Sequence, residues 1–140
     1  MVLFETLPHT ADLKVRAYGS DMRNLFTNML EGMFMSLSPI SIDGAETSRE
    51  FDVSSHDLET LFIDFLSEAL SLSDVYKEVY LDVVYDTFEP EGEGTKRITG
   101  TFKGVKIEGF EEGEIKAVTH HDLKIEKEGD VWVAEVLFDL

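Results

Sequence analysis

Between residues 21 and 37 the apolar positions fall at Met22, Leu25, Phe26, Met29, Leu30, Met33, Phe34 and Leu37. Spacing of i, i+3, i+4, i+7 lines one face of an α-helix. Ser20 or Asp21 can cap its first turn by accepting from orphan backbone N–H groups, and Ser38 and Pro39 end it. Helical spacing assigns the Met and Phe stripe to core packing rather than to a cofactor pocket. A second helix is expected at about 56–71, where Leu58, Leu61, Phe62, Phe65, Leu66, Ala69 and Leu70 repeat the spacing. It starts behind Ser55, with Asp57 and Glu59 as acidic first-turn residues.

Elsewhere the period is two. Leu13, Val15 and Ala17 alternate with Lys14, Arg16 and Tyr18, so a strand begins just after the loop that holds Leu7, Pro8, His9, Thr10 and Asp12. Residues 47–55 read as a short strand between the helices. After Asp74 the texture is β: residues 79–88, a turn-rich loop at 90–96, then 97–107, all rich in Val, Ile, Thr and Tyr. Residues 114–127 and 131–140 form a hairpin candidate around 128–130. The resulting order, β-β-α-β-α-β-β-β-β, contains no long linker and no repeat visible to the eye. It predicts an α+β fold over 1–140 as one domain, with two helices packed on a largely antiparallel sheet.

Composition narrows the function classes. A chain of 140 residues with 43% hydrophobic content can bury a sizeable core. The absence of cysteine excludes disulfides and thiolate metal sites and suits a reducing cytoplasm. No stretch approaches the roughly 18 apolar residues that a bilayer demands, and the N-terminus lacks the pattern of a signal peptide, so no membrane association is expected. Asp and Glu number 29 against 12 Lys and Arg, a formal charge of −17 that repels polyanions. Direct DNA or RNA binding is not expected, because nucleic-acid affinity comes from Lys and Arg neutralising phosphates. Such acidity suits solubility, cation binding or docking on a basic protein surface.

Candidate chemistry gathers at strand ends. Alternation through the hairpin puts Ile115, Ala117, Thr119, His121, Leu123 and Ile125 on one apolar side and Lys116, Val118, His120, Asp122 and Lys124 on the other. His121 is therefore expected inward, where a hydrogen-bonded core histidine is the commoner outcome than a ligand. The strand pattern also runs to 136-VLFDL-140, so Asp139 and the Leu140 carboxylate would stand close together, two anions that need a cation, a lysine or backbone donors beside them. If that end meets the loop bearing His9 and Asp12, several oxygen ligands and one imidazole converge. Such a set favours Ca²⁺ or Mg²⁺, with Mn²⁺ or Zn²⁺ possible if His9 ligates. Alternatively Asp12 caps a turn and His9 hydrogen-bonds it. No nucleophile elbow, P-loop, zincin helix or cysteine nucleophile occurs; a His9/Asp12 acid–base pair is conceivable but has no obvious nucleophile to go with it.

Three blocks taken together resemble the archease family: 9-HTAD-12 running into a strand, a Gly and the Met/Phe-rich helix; 57-DLETLFIDFLSEAL-70; and 116-KAVTHHDLKI-125 closing on 139-DL-140. The resemblance spans essentially the whole chain. It departs at His120, which stands where the family commonly has Tyr and so brings an imidazole in place of a phenol.

The resemblance implies a strand-helix-strand-strand module carrying a similar insertion. It also implies an accessory protein of tRNA splicing that is not itself an enzyme. Archeases assist the RNA ligase that joins 2′,3′-cyclic phosphate or 3′-phosphate ends to 5′-hydroxyl ends, promoting GTP-dependent guanylylation of the ligase histidine and multiple turnover. Carried over by position, the family's metal-binding acidic site falls on Asp12 and Asp139, with His9 and the Leu140 carboxylate as neighbours; Leu140 is a candidate ligand through that carboxylate, and His9 and His121 are candidates to ligate the metal or support its ligands. Lys116 opens the block linked to ligase activation; alternatively it merely balances an acidic sheet edge. Two rival classes remain in view: a stand-alone metal-dependent hydrolase and a chaperone-like binding module.

Overall fold

The computed structural model describes residues 2–9 and 12–140. Its main elements are β1 (Phe4–Leu7), β2 (Leu13–Gly19), α1 (Met22–Met35), β3 (Pro39–Ile40), β4 (Glu46–Ser55), α2 (Leu58–Tyr76), β5 (Glu78–Glu89), β6 (Lys96–Lys106), β7 (Gly109–Phe110), β8 (Ala117–Glu128) and β9 (Val131–Asp139). The α+β class expected from the sequence holds, and every strand pairing described is antiparallel. The strands, however, divide between sheets: β1-β2-β9-β8, β4-β6-β5 and a short β3-β7 ribbon. Both helices touch both larger sheets, α1 packing on β1, β2, β9 and β5, and α2 on β4, β5, β6 and β8. One apolar cluster runs through all of these layers.

The division follows a rule. In β2-α1-β8-β9 the last strand of the series lies between the other two, and β4-α2-β5-β6 has the same order. The second unit is inserted whole between α1 and β8. The chain thus contains two strand-helix-strand-strand units of like topology, although no repeat is visible in its letters. Like topology requires only like periodicity, one helix-period segment followed by two strand-period segments.

Each helix begins as an extended Asp side chain accepts from the third residue on: Asp21 from the Asn24 N–H at 2.8 Å, Asp57 from the Thr60 N–H at 2.7 Å. Asp57 is therefore the cap of α2 rather than a first-turn residue. That backbone bond, with His56 and His120 nearby, holds the Asp57 carboxyl below its ordinary value. The second helix also runs past residue 71 to Tyr76, ending where Lys77 adopts φ 55° and returns its N–H to the Ser73 carbonyl. In the inserted sheet, β5 bulges beside Gly104 and again beside Gly100. A Cβ on Gly104 would lie 1.8 Å from the Val79 carbonyl oxygen, so only glycine permits that approach.

At the start of β5 a fully buried carboxylate ties the inserted unit together. Glu78 accepts from Arg49 Nε at 2.9 Å and Nη2 at 2.7 Å, and from the Tyr80 hydroxyl at 2.7 Å. The guanidinium lies 3.5 Å from the centroid of the Tyr76 ring. The Arg49 hydrogen bonds, against the penalty of burial, hold the Glu78 carboxyl below its usual range. A depressed folded value means that the stabilisation is present above the unfolded carboxylate value, about 4.3, and is lost as pH falls through the folded one. Glu78→Gln should therefore lower the melting temperature by several degrees at pH 7. Below pH 4 the gap from wild type should shrink, and a gap constant across pH would contradict this ion pair as its source.

Candidate functional site

The ends of the two central strands of the first sheet bring together residues from opposite ends of the chain. β2 and β9 pair from Gly19↔Trp132 to Leu13↔Phe138. One step beyond, Asp12 and Asp139 leave the ladder as register neighbours. β8 joins the same end: Ala117 pairs with Asp139, and the Lys116 N–H donates to the Asp139 carbonyl at 2.7 Å. Asp139 and Lys116 are exposed, and Asp12 is half-buried. Leu140, beside Asp139, is 37% exposed.

His9 reaches the same place, with Nδ1 3.8 Å from Asp12 Oδ2. That separation is too long for a hydrogen bond between the two side chains. Thr10 lies outside the described residues, as does Ala11. Among the described residues no group of three or more His, Asp or Glu side chains is assembled to hold a metal. What the register provides is a pair of carboxylates with an imidazole at the margin. Oxygen donors of this kind fit a hard cation.

His121 is not in this group, nor is it in the core. Its side chain is 74% exposed and its Nε2 lies 3.5 Å from Asp122 Oδ2. The cause is a bulge: β8 advances from Thr119 to Lys124 while β9 advances only from Leu137 to Glu135. Asp122 takes φ 58° within it. An odd number of steps on one strand against an even number on the other exchanges the faces. Hence Val118 joins Ile125 and Leu123 against the core, whereas strict alternation puts Val118 on the opposite side. His120, His121 and Asp122 are carried outward by the bulge.

A charge ladder behind the carboxylate pair escapes sequence reasoning altogether. Register places Glu5, Arg16, Glu135 and Lys124 side by side on four neighbouring strands. Arg16 donates through Nε to Glu135 Oε2 at 3.2 Å and through Nη1 to Glu5 Oε1 at 3.1 Å. Lys14 and Lys124 approach Glu135 at 3.6 and 3.8 Å. Three cations thus compensate one carboxylate that is only 8% exposed. Val133 and Leu137, which share the Glu135 side of β9 by alternation, are only 4% and 6% exposed. This arrangement fixes β2 against β9 four residues from the point where Asp12 and Asp139 emerge. Its sequence signal is the alternation of charge sign across strands, which appears only once the register is known.

Residues 4–140 match a family model described as the Archease protein family (MTH1598/TM1083). The chain belongs to the archease family. A protein archease from Methanosarcina acetivorans is 37% identical over 139 residues, covering 98% of this chain and 95% of its own. One from Thermococcus kodakarensis is 34% identical, with 98% of each chain covered. Among solved structures, the solution structure of Methanobacterium thermoautotrophicum protein 1598 superposes with a TM-score of 0.73 at 31% identity and 99% coverage of both chains. The Thermotoga maritima crystal structure, described as an archease and possible chaperone, gives 0.64 at 26% identity, covering 97% of this chain and 96% of that one. These relatives and solved structures match the chain over nearly its whole length and their own. No helix among the described residues is long and apolar enough to cross a membrane.

Proposed function

We propose that this archease is a cytoplasmic accessory protein of the tRNA-splicing RNA ligase. It promotes guanylylation of the ligase histidine by GTP and so sustains repeated joining of 2′,3′-cyclic phosphate or 3′-phosphate ends to 5′-hydroxyl ends. The observation that carries the reading is the convergence of Asp12, Asp139 and the Lys116 backbone at one end of the first sheet in a chain of this family. Asp12 and Asp139 would hold a divalent cation, Ca²⁺ or Mg²⁺ by donor type, with Mn²⁺ or Zn²⁺ served if His9 turns inward. Bound there, the cation would neutralise phosphate charge. The chain's own part is positioning: β2 and β9 keep the two carboxylates in register, and the exposed Lys116 ammonium is free to meet a phosphate or an acidic group on the ligase. Nucleotidyl transfer depends chiefly on such positioning and charge neutralisation, so a protein without a nucleophile of its own can still accelerate it.

The charge of −17 supports the division of labour. An acidic activator is attracted to the basic, RNA-facing side of a ligase and leaves tRNA to the ligase itself. Complex formation with the purified ligase should weaken severalfold as salt rises from about 0.05 to 0.5 M, because the Debye length falls from above 10 Å toward 3 Å. Calorimetric titration at the two salt concentrations tests this, and an unchanged affinity would remove the electrostatic part of the account. The description of the Thermotoga protein as a possible chaperone favours a second reading, a client-binding module, which would be indifferent to loss of Asp12 or Asp139.

A further inference from the structure

A cavity of about 620 Å³ opens between the C-terminal half of α2, the β6–β7 connection and the segment leading into β8. Leu70, Phe110, Ile115 and Val118 line it, all only partly buried, so the free protein leaves apolar surface there uncovered. Asp74, Glu108 and Glu114 stand around it against Lys77 and Lys116, three carboxylates to two ammonium groups. That balance disfavours a phosphate-bearing ligand. An apolar recess within a charged rim has the anatomy of a protein-binding pocket that takes one anchoring side chain. Lys116 connects the recess to the carboxylate pair: it lines the cavity while its backbone N–H is bonded to the Asp139 carbonyl. A protein that meets the Asp139 end therefore reaches the cavity without leaving the surface.

We propose that this cavity receives an apolar side chain, Leu, Met or Phe, from a segment of the partner protein that carries Lys or Arg on either side of it. The apolar anchor meets Leu70, Ile115 and Val118, and the flanking cations meet Asp74, Glu108 and Glu114. The identity of the partner as the ligase rests on the function proposed above; the chemistry of the segment rests on the cavity.

Because the chain has no cysteine, Ser71→Cys at the exposed mouth of the cavity gives a single thiol to which a benzophenone maleimide can be attached. Irradiation with the purified ligase should cross-link a ligase segment in which an apolar residue is flanked by Lys or Arg. In parallel, Ser71→Trp, which fills the mouth, and Glu114→Lys, which reverses a rim charge, should each weaken ligase binding at least about tenfold with the melting temperature unchanged. Unchanged binding by both variants, or a cross-link to a segment without basic residues, overturns the proposal. Should the wild type bind no ligase, the functional reading falls with it; wild-type binding that both variants retain removes the cavity's role alone.

Discussion

Asp139→Ala should reduce stimulation of ligase guanylylation at least about tenfold, the scale on which even an indirect supporter of a metal site costs affinity. The expectation is sharp because of what the substitution leaves in place. The Asp139 carbonyl, which accepts from the Lys116 N–H at 2.7 Å, belongs to the backbone and survives the change. The pairing Ala117↔Asp139 likewise involves main-chain atoms. Only an exposed carboxylate is lost, so stability should stay within about 0.5 kcal/mol of wild type. Guanylylation assays beside a thermal melt check both halves. Full stimulation by the folded variant would take the carboxylate pair out of the mechanism.

The largest stability effect is expected at the centre of the aromatic core. Phe65, fully buried on α2, packs against Phe26 of α1 at 5.2 Å, Phe102 of β6 at 5.4 Å, Phe51 of β4 at 5.6 Å and Tyr85 of β5 at 6.4 Å between centroids. It thereby joins both helices to every strand of the inserted sheet. Phe65→Ala removes a ring that its neighbours cannot close over and should cost about 4 kcal/mol in urea unfolding. Against a typical total of about 5–15 kcal/mol, this leaves a marginal fold. A loss below about 1 kcal/mol would mean that the helices and the inserted sheet do not depend on this cluster for their cohesion.

The helices were legible because their apolar stripes are long and their first turns begin at Asp21 and Asp57. The true end of α2 was not, since Ser71, Ser73 and Asp74 interrupt the stripe. Yet Ser73 is buried there and donates its hydroxyl to the Glu78 carbonyl, so a polar residue serves the core. The hairpin's existence was equally plain, and its faces were not. Nothing in 117-AVTHHDLKI-125 announces where a bulge shifts the register, and His121 consequently lies in solvent rather than in the core.

The carboxylate pair occupies an intermediate position. Strand character just after Asp12 and up to Asp139 could be read from alternation, but that β2 and β9 are adjacent is a fact of topology. The ladder from Glu5 to Lys124 depends on that adjacency as well, and the cavity beside Lys116 depends on where α2 meets the segment leading into β8. Both are facts of topology.

The central claim is that the chain acts on the ligase rather than on RNA. It is tested most directly by following ligation of 2′,3′-cyclic phosphate to 5′-hydroxyl ends with limiting ligase and excess GTP, with and without the wild-type protein. The account predicts that the ligase alone stalls after few turnovers, that the added protein restores many, and that the protein without ligase joins nothing. Equal turnover in its presence and absence would contradict it.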